Sequence, residues 1–409
     1  MHSGFDHAVK RFLLAYHSLA SLGLSIIRAL HSSIRRAQTC WQRQRSSSLS
    51  TYIVSLDRGS KGDMSQLLRV QEPFSGGILL SYRCTSECRH CMYACSPRWT
   101  GDWISEDNLR RVLIQLSDRI LPSPFGADRI GVNYGLHFTG GEPFLSFDLL
   151  EKAARMAHDL EIPSTFVETN GFWCAEDDAT REKLTKLKRA GLHGMLVSVN
   201  PFILEQVPFE RTMRAIRIGR EIFHGNLITY QEFFRSQFER LGIREALSFE
   251  EYVRRTGLHS LLGNVELLPM GRGAYALSCL YRKYPAQRFF GESCGDELTR
   301  GWHVHVDNYC NYMTGYCGGI SLGDARDIAS ICQGVDLNEH PILNALATDL
   351  KTLFELGVEA FNYKQRGEGY ISKCHLCVDL RRHIAQETDE FQELRPKEFY
   401  RHLERPATH

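Results

Sequence analysis

Short apolar runs alternate with amphipathic segments along most of the chain between residues 77 and 268. The apolar runs are typical of buried strands and span 77–82, 134–138, 164–168, 194–199 and 264–268. The segments between them place apolar residues at helical spacing and predict helices over 105–120, 147–160, 179–190 and 207–223. Regular alternation of strand and helix predicts an α/β fold with a parallel sheet.

The pattern changes after residue 280. Trp302 to Asp307 alternates between apolar and polar residues, which predicts a hairpin strand with a turn at Asp307 and Asn308. We therefore divide the chain into an N-terminal extension, a strand–helix core, a small cysteine-rich α+β extension and a polar tail. These regions span 1–63, 72–280, 281–390 and 391–409.

The N-terminal extension differs in composition from the rest. Asp6 is the only acidic residue before Asp57, and Phe12 to Ile27 contains no charged residue. Such a stretch would give about 24 Å of helix, short of a typical bilayer core. Three interpretations fit: a targeting or signal-like leader, an amphipathic membrane-surface helix, or sequence upstream of a true start at Met64. We favour the third interpretation and expect no membrane contact.

Overall composition narrows the class of protein. The chain has 409 residues, 43% hydrophobic and 24% charged, as in soluble globular proteins. A net charge of +1 gives no reason to expect binding to nucleic acid. Its 13 cysteines fall mostly into two groups, which favours metal ligation in a reducing compartment over disulfides. We therefore expect a cytoplasmic protein.

The first cysteine group directly follows the first predicted strand. Cys84, Cys88 and Cys91 have the spacing C-x3-C-x2-C on one short segment. Three thiolates can hold three irons of a [4Fe–4S] cluster and leave the fourth iron open, whereas a pure electron carrier normally has four cysteine ligands. A structural zinc site is the alternative interpretation.

The cysteine spacing, with His90 at the place of an aromatic residue, resembles the signature of radical S-adenosylmethionine (SAM) enzymes. The resemblance implies a partial (βα)6 radical SAM barrel with its site at the carboxyl ends of the strands, followed by the cysteine-rich α+β extension. It also implies that SAM chelates the open iron and is cleaved reductively. The resulting 5′-deoxyadenosyl radical would abstract hydrogen from a substrate.

A second motif follows the next predicted strand. Gly140, Gly141 and Glu142 resemble the GGE element of the same enzymes, which binds the amino group of SAM. Two glycines allow close backbone approach, and a carboxylate can accept from an ammonium group. A tight turn before a helix is the plain alternative.

Further cofactor contacts are implied at later strand ends and loops: Thr169, Asn170, Ser198, Arg211, Met270 and Gly271. Each has a structural alternative, namely a turn for the strand-end and glycine-rich positions and an exposed basic helix face for Arg211. No residue beyond the cluster ligands is selected by spacing as a catalytic acid or base.

The second cysteine group resembles the SPASM/Twitch extension of some radical SAM enzymes. The resemblance implies one auxiliary iron–sulfur cluster held by Cys294, Cys317, Cys374 and Cys377. Cys310 stands where a turn glycine is expected, so we predict that it is not a ligand. His383 stands where a full SPASM domain has a further cysteine, which makes two auxiliary clusters doubtful. A four-thiolate zinc site is the alternative.

The resemblance implies an enzyme that uses a small flavodoxin- or ferredoxin-like electron donor and acts on a peptide or protein side chain. Small-molecule substrates and glycyl-radical activation stay open, because the peptide substrate is an analogy to one branch of these enzymes. The alternative from a different class is a non-catalytic iron–sulfur or zinc protein.

Overall fold

The computed structural model describes residues 66–404. The expectations for residues 1–63 and the last residues of the polar tail therefore lie outside the described part. A seven-stranded sheet runs through the centre in the order β6-β5-β4-β3-β2-β7-β8, and β1 and β9 form a separate antiparallel pair. The strands are β1 Leu67–Leu68, β2 Ser75–Leu79, β3 Gly135–Thr139, β4 Phe166–Thr169, β5 Gly194–Ser198, β6 Leu227–Tyr230, β7 Val304–Val306, β8 Tyr312–Met313 and β9 Val335–Asp336.

The central sheet is mostly parallel, as the alternating pattern predicted. Strands β2 to β7 pair in parallel with their neighbours, and only β8 is antiparallel. Among the described strands, β6 and β8 form the two edges, so the sheet is open. This confirms an α/β fold of partial-barrel type.

Two of the strand assignments need correction. Residues 264–268 do not form a strand, because the preceding helix continues to Asn264 and Val265 still donates its N–H to the carbonyl of Leu261. The following segment reaches β6 only through side chains, with Tyr230 donating to Glu266 at 2.5 Å. The short strand β6 was missed because it has only four residues, all of them half-buried.

Four of the described core helices were predicted, and these four lie close to their predicted positions. Ser105 caps the first one, since its Oγ accepts from the N–H of Asn108. The core helices are α1 Glu106–Ser117, α2 Phe147–Asp159, α3 Asp177–Arg189, α4 Pro201–Leu204, α5 Phe209–Phe223, α6 Glu232–Arg240, α7 Phe249–Thr256, α8 Leu258–Asn264 and α9 Gly273–Ala276.

The cysteine-rich extension continues the same sheet. Its predicted hairpin is confirmed, with β7 paired to β8 and the turn held by Asp307, which accepts from the N–H groups of Tyr309 and Asn311. The remaining helices are α10 Gly295–Thr299, α11 Ile328–Gln333, α12 Pro341–Thr348, α13 Leu350–Phe361, α14 Lys373–Glu387 and α15 Glu398–Arg401.

The sheet forms the core, and the loops at one end form the site. All five residues of β2 are buried, as expected for a strand covered on both faces. Because β2 to β5 run in parallel, their carboxyl ends open onto the same edge of the sheet, where the predicted motifs lie. Within residues 66–404, no helix is long and apolar enough to cross a membrane.

Candidate active site

The three cysteines of the first group lie on a closed loop after β2, residues 84–95, which we call the cysteine loop. Cys84 donates its N–H to the carbonyl of Ser96 at 3.3 Å, so the two ends of the loop lie side by side. Within the loop, Cys91 donates to the carbonyl of Cys88 at 3.2 Å. Cys84 and Cys88 are buried and Cys91 is half-buried. The backbone therefore presents all three thiols within one compact turn.

The thiols of the cysteine loop differ in acidity. Burial raises the pKa of Cys84 well above its ordinary value, and the nearby Cys88 and Glu142 add to the effect. A hydrogen bond with Cys95 lowers the pKa of Cys91 to about 6. The backbone N–H of Cys95 also donates to the sulfur of Cys91 at 3.3 Å. Cys95, to which the sequence assigned no role, thus favours the thiolate of a predicted ligand.

Arg272 is the residue of the site that sequence reasoning missed. Its side chain is fully buried, and its guanidinium donates to the carbonyls of Cys88, Ala94, Cys95 and His402 at 2.8–3.0 Å. Because this buried guanidinium donates to four carbonyls at once, it fixes the shape of the loop that surrounds it. The signal was an arginine within the glycine-rich segment at 269–273, where only backbone contacts were expected.

Three glycines allow other segments to pack against the cysteine loop and the strand before it. A Cβ at Gly140, Gly141 or Gly271 would lie 2.3, 1.9 or 2.1 Å from the carbonyl oxygens of Ser81, Arg83 and Met92, respectively. Such contacts are too short for any side chain, so only glycine fits. The close approach is to the protein backbone around the cysteines, and the N–H of Gly141 is already bound by the carbonyl of Ser81.

Glu142 points into the protein and is almost fully buried. Its carboxylate accepts from Thr169 Oγ1, the N–H of Asn170 and the N–H of Phe144 at 2.9–3.2 Å. Burial raises its pKa to about 7, against the opposing effect of these donors. A carboxylate has about four acceptor sites, so three are filled by the protein and one is left for a ligand.

Thr169 and Asn170 connect the end of β4 to the cysteine loop. The amide of Asn170 donates to the hydroxyls of Thr85 and Ser86, both at 3.3 Å, and its nitrogen lies 3.9 Å from the sulfur of Cys84. Thr169 donates to Glu142. These residues therefore join two of the predicted motifs, which a simple strand-ending turn would not do.

The later motif positions are less close to the cysteines. Ser198 ends β5 and is in register with Tyr230 of β6. Arg211 donates to the carbonyl of Phe172 at 2.8 Å, so it holds the loop after β4 and does not lie on an open helix face. Nearer to the loop, Asn200 lies 3.3 Å from the ring nitrogen Nε2 of His90. Burial lowers the pKa of His90 to about 4.

The four cysteines of the second group come together from three parts of the extension. Burial raises the pKa of Cys374 well above its ordinary value, and the charges of Cys317, Cys294 and Cys377 act in the same direction. Burial likewise raises the pKa of Cys317 to about 11. These effects place the four thiols near one another, with Cys377 buried and the other three half-buried.

Two cations flank this second group. Arg381 donates to the sulfur of Cys377 at 3.3 Å, and Lys373 donates to the carbonyl of Ser293 beside Cys294. Cys310 does not join the group: it has a φ of 65°, in the left-handed region where a turn glycine is common. His383 donates from Nε2 to the carbonyl of Phe361, 2.7 Å away.

The spacing of the sulfurs bears on what they could hold. In residues 66–404, one set of three or more potential ligands has its ligand atoms within 4.8 Å of one another, and that set consists of histidines. Sulfurs about 2.3 Å from a tetrahedral zinc would be about 3.8 Å apart.

Residues 78–231 match the family model described as the Radical SAM superfamily. This stretch runs from β2 to β6 and includes the cysteine loop and Glu142. Residues 78–231 therefore form a radical SAM domain, and the chain is an enzyme. No curated protein matches the sequence.

Three solved structures are similar over different shares of the chain. BtrN in complex with AdoMet and 2-DOIA is 13% identical over 68% of this chain and 88% of its own, with a TM-score of 0.38. The protein anSMEcpe with bound AdoMet is 11% identical over 77% and 97%, with a TM-score of 0.38. HydG, a maturase of the [FeFe]-hydrogenase, is 17% identical over 42% and 41%, with a TM-score of 0.28. With TM-scores this low, none of the three establishes a shared substrate.

Proposed function

We propose that Cys84, Cys88 and Cys91 bind a [4Fe–4S] cluster with one open iron, and that SAM binds there. The observation that carries this proposal is the convergence of the strand-end loops on a single loop with three thiols. Arg272 fixes that loop from inside, and Asn170 holds it from β4. A site with three soft ligands and a rigid surround suits a cluster that must keep one position free.

The residues around the cluster would hold SAM. Our candidates are Gly140, Gly141, Glu142, Thr169, Asn170, Ser198, Arg211, Met270 and Gly271. Glu142 has one acceptor site left for the amino group, and Asn170 orients the cysteine loop beside it. When bound, the cluster and SAM would supply the one-electron chemistry that generates an organic radical. The protein's part is to bind, to orient and to exclude water.

The second group would hold one auxiliary iron–sulfur cluster at Cys294, Cys317, Cys374 and Cys377. The electrostatic effect of the other three thiols on Cys374 supports this assignment. By analogy with the SPASM/Twitch branch, we infer a peptide or protein side chain as substrate, and a small flavodoxin- or ferredoxin-like protein as electron donor. A cytoplasmic location fits the need to keep thirteen cysteines reduced.

The test is anaerobic reconstitution of the full chain followed by reduction with SAM present. We expect wild-type protein to form 5′-deoxyadenosine, measured by chromatography. Cys88→Ala should form none, and the exposed Cys279→Ala should match wild type. A wild-type protein that carries its full iron and sulfide complement and binds SAM but never cleaves it would refute the proposal.

The substrate class needs a separate experiment. Wild-type protein would be incubated with pools of perdeuterated peptides or perdeuterated small metabolites, and 5′-deoxyadenosine analysed by mass spectrometry. A peptide substrate predicts deuterium in the product from the peptide pool alone. Deuterium from the metabolite pool alone would overturn the peptide assignment and leave the radical chemistry intact.

A further inference from the structure

Three buried histidines meet inside the sheet, and none of them belongs to either cysteine group. His137 lies on β3, His305 lies on β7, and His303 immediately precedes β7. Their ring centroids form a nearly equilateral triangle with sides of 5.0, 5.1 and 5.2 Å. One nitrogen from each ring lies within 4.8 Å of the others. The radical SAM chemistry described above uses none of these side chains.

The glycine between the two strands makes this meeting possible. His137 and His305 are both in register with Gly77 of β2, which lies between them in the sheet. A Cβ at Gly77 would lie 2.2 Å from Nε2 of His137. Because Gly77 has no side chain, the two imidazoles reach each other across β2, with their Nε2 atoms 3.2 Å apart.

This separation matches metal ligation. Two nitrogens each about 2.0–2.1 Å from a tetrahedral ion would be about 3.3 Å apart. His303 offers a third nitrogen, since its Nδ1 is buried without a hydrogen-bond partner. An unpartnered buried nitrogen is costly unless a ligand satisfies it. His303 also adopts a φ of 51°, a strained value for a side chain other than glycine.

The surroundings provide the partners that ligating histidines usually have. His305 Nδ1 lies 2.9 Å from the hydroxyl of Tyr93, so this ring is held from one side while its Nε2 faces the Nε2 of His137 at hydrogen-bond distance. The carboxylate of Glu168 lies 3.8 Å from His137 Nε2 and supplies negative charge. The positive charge of Arg300 disfavours a metal cation nearby. Its guanidinium is, however, engaged by the rings of Trp302 and Tyr316, with centroids 4.0 and 4.3 Å away.

We propose that His137, His303 and His305 bind one divalent first-row transition-metal ion of the kind that imidazole prefers, such as zinc. Three protein ligands leave at least one coordination position for water or a donor atom of the substrate. The site is independent of the cluster proposed at Cys84, Cys88 and Cys91, because it uses none of its ligands.

The experiment uses the full chain with its iron–sulfur clusters reconstituted, so that the cysteines are occupied. Zinc is added, loosely bound metal is removed with a weak chelator, and zinc per chain is measured by elemental analysis. X-ray absorption at the zinc edge then reports the ligands. We expect one zinc per chain with nitrogen or oxygen neighbours at about 2.0–2.1 Å and no sulfur.

Variants distinguish this site from adventitious binding. His305→Ala should lose the zinc, whereas the exposed His259→Ala should keep it. Because a buried alanine could impair folding, His303→Gln provides a second ligand variant, and Tyr93→Phe keeps all three ligands. Tyr93→Phe should weaken zinc binding about 10-fold or more. It removes the hydroxyl that contacts the non-ligating nitrogen of His305, and losing such a group typically lowers metal affinity by this amount.

Three results would overturn the inference: no zinc retained by wild type, equal zinc in the folded His305→Ala and His303→Gln proteins, or sulfur in the zinc shell. The readout is separate from SAM cleavage. A protein that binds zinc at histidines but forms no 5′-deoxyadenosine would refute the proposed function and leave this inference standing.

Discussion

The two cysteine groups are built in opposite ways. The three thiols of the cysteine loop lie within eight residues on one loop, and the buried Arg272 binds the carbonyls around them. The second group gathers four thiols from distant segments, and Arg381 donates directly to one of the sulfurs. In the first group the cation binds backbone carbonyls and thereby shapes the loop. In the second the cation contacts a ligand itself.

This difference fits two distinct tasks. Three thiol ligands suit a cluster that must bind a further molecule at its open iron. Four thiolates leave no open iron, and a charged hydrogen bond to sulfur is one of the means by which proteins tune the potential of a cluster. We therefore expect changes in the first group to affect SAM cleavage, and changes in the second to affect substrate turnover or cluster content.

The test with the largest expected effect replaces one cysteine of each group with serine. Cys91→Ser should reduce 5′-deoxyadenosine formation by more than about 100-fold, because loss of a ligand should exceed the 10–100-fold effect of losing a partner of a ligand. Cys374→Ser should lower the iron content but keep at least about half of the SAM cleavage measured without substrate. Equal losses of SAM cleavage in the two variants would contradict the division of tasks.

The second test compares the two buried arginines. Arg272→Met leaves four carbonyls without their donor, and each buried acceptor costs about 1–3 kcal/mol. We expect the free energy of unfolding of the cluster-free protein to fall by about 4 kcal/mol or more, with loss of iron from the first group.

Arg381→Met is the matched control, since it removes donors to Gly318, Tyr400 and the sulfur of Cys377. It should spare the first cluster, as judged by 5′-deoxyadenosine formation. A reversed pattern, with SAM cleavage lost in Arg381→Met and kept in Arg272→Met, would show that the arginines do not serve separate groups.

The third test uses the buried acid of the first group. The pKa of Glu142 is about 7 in the folded protein, above its ordinary value of 4.5. Between these values the folded protein holds one more proton than the unfolded chain, so stability falls as pH rises from about 4.5 to 7. The shift corresponds to roughly 3 kcal/mol. Glu142→Gln should lack this decline in urea unfolding of the cluster-free protein, and parallel curves would contradict the burial effect.

The contrast between the groups also explains what the sequence could predict. Cys84, Cys88, Cys91 and the GGE element lie in short contiguous motifs at strand ends, so spacing and the strand pattern suffice to find them. Five of the strands and four of the core helices follow from periodicity for the same reason. The fold class was confirmed, whereas strand 264–268 was wrong because helix α8 extends into it.

What escaped the sequence is non-local. Arg272 reaches the cysteine loop from 184 residues away in the chain, and its place in the glycine-rich segment does not reveal which carbonyls it binds. The three-histidine cluster depends on the registration of β3 and β7 on either side of Gly77, which requires knowing that β7 joins the sheet beside β2. Parallel pairing of distant strands cannot be read from alternation alone.

The smallest expected effect concerns Asn170, which joins the end of β4 to the cysteine loop. Asn170→Ala removes donors to Thr85 and Ser86, but both hydroxyls can turn to other partners. We therefore expect a loss of only about 1–2 kcal/mol in the free energy of unfolding. SAM cleavage should fall more than this stability loss explains, because the loop that carries Cys84 would be less rigidly placed.

Asn311→Ala is the control, because it removes a comparable buried amide bond, to Asp307 in the hairpin of the extension. If both variants lost the same stability and neither changed SAM cleavage, Asn170 would be a structural link between two loops and nothing more.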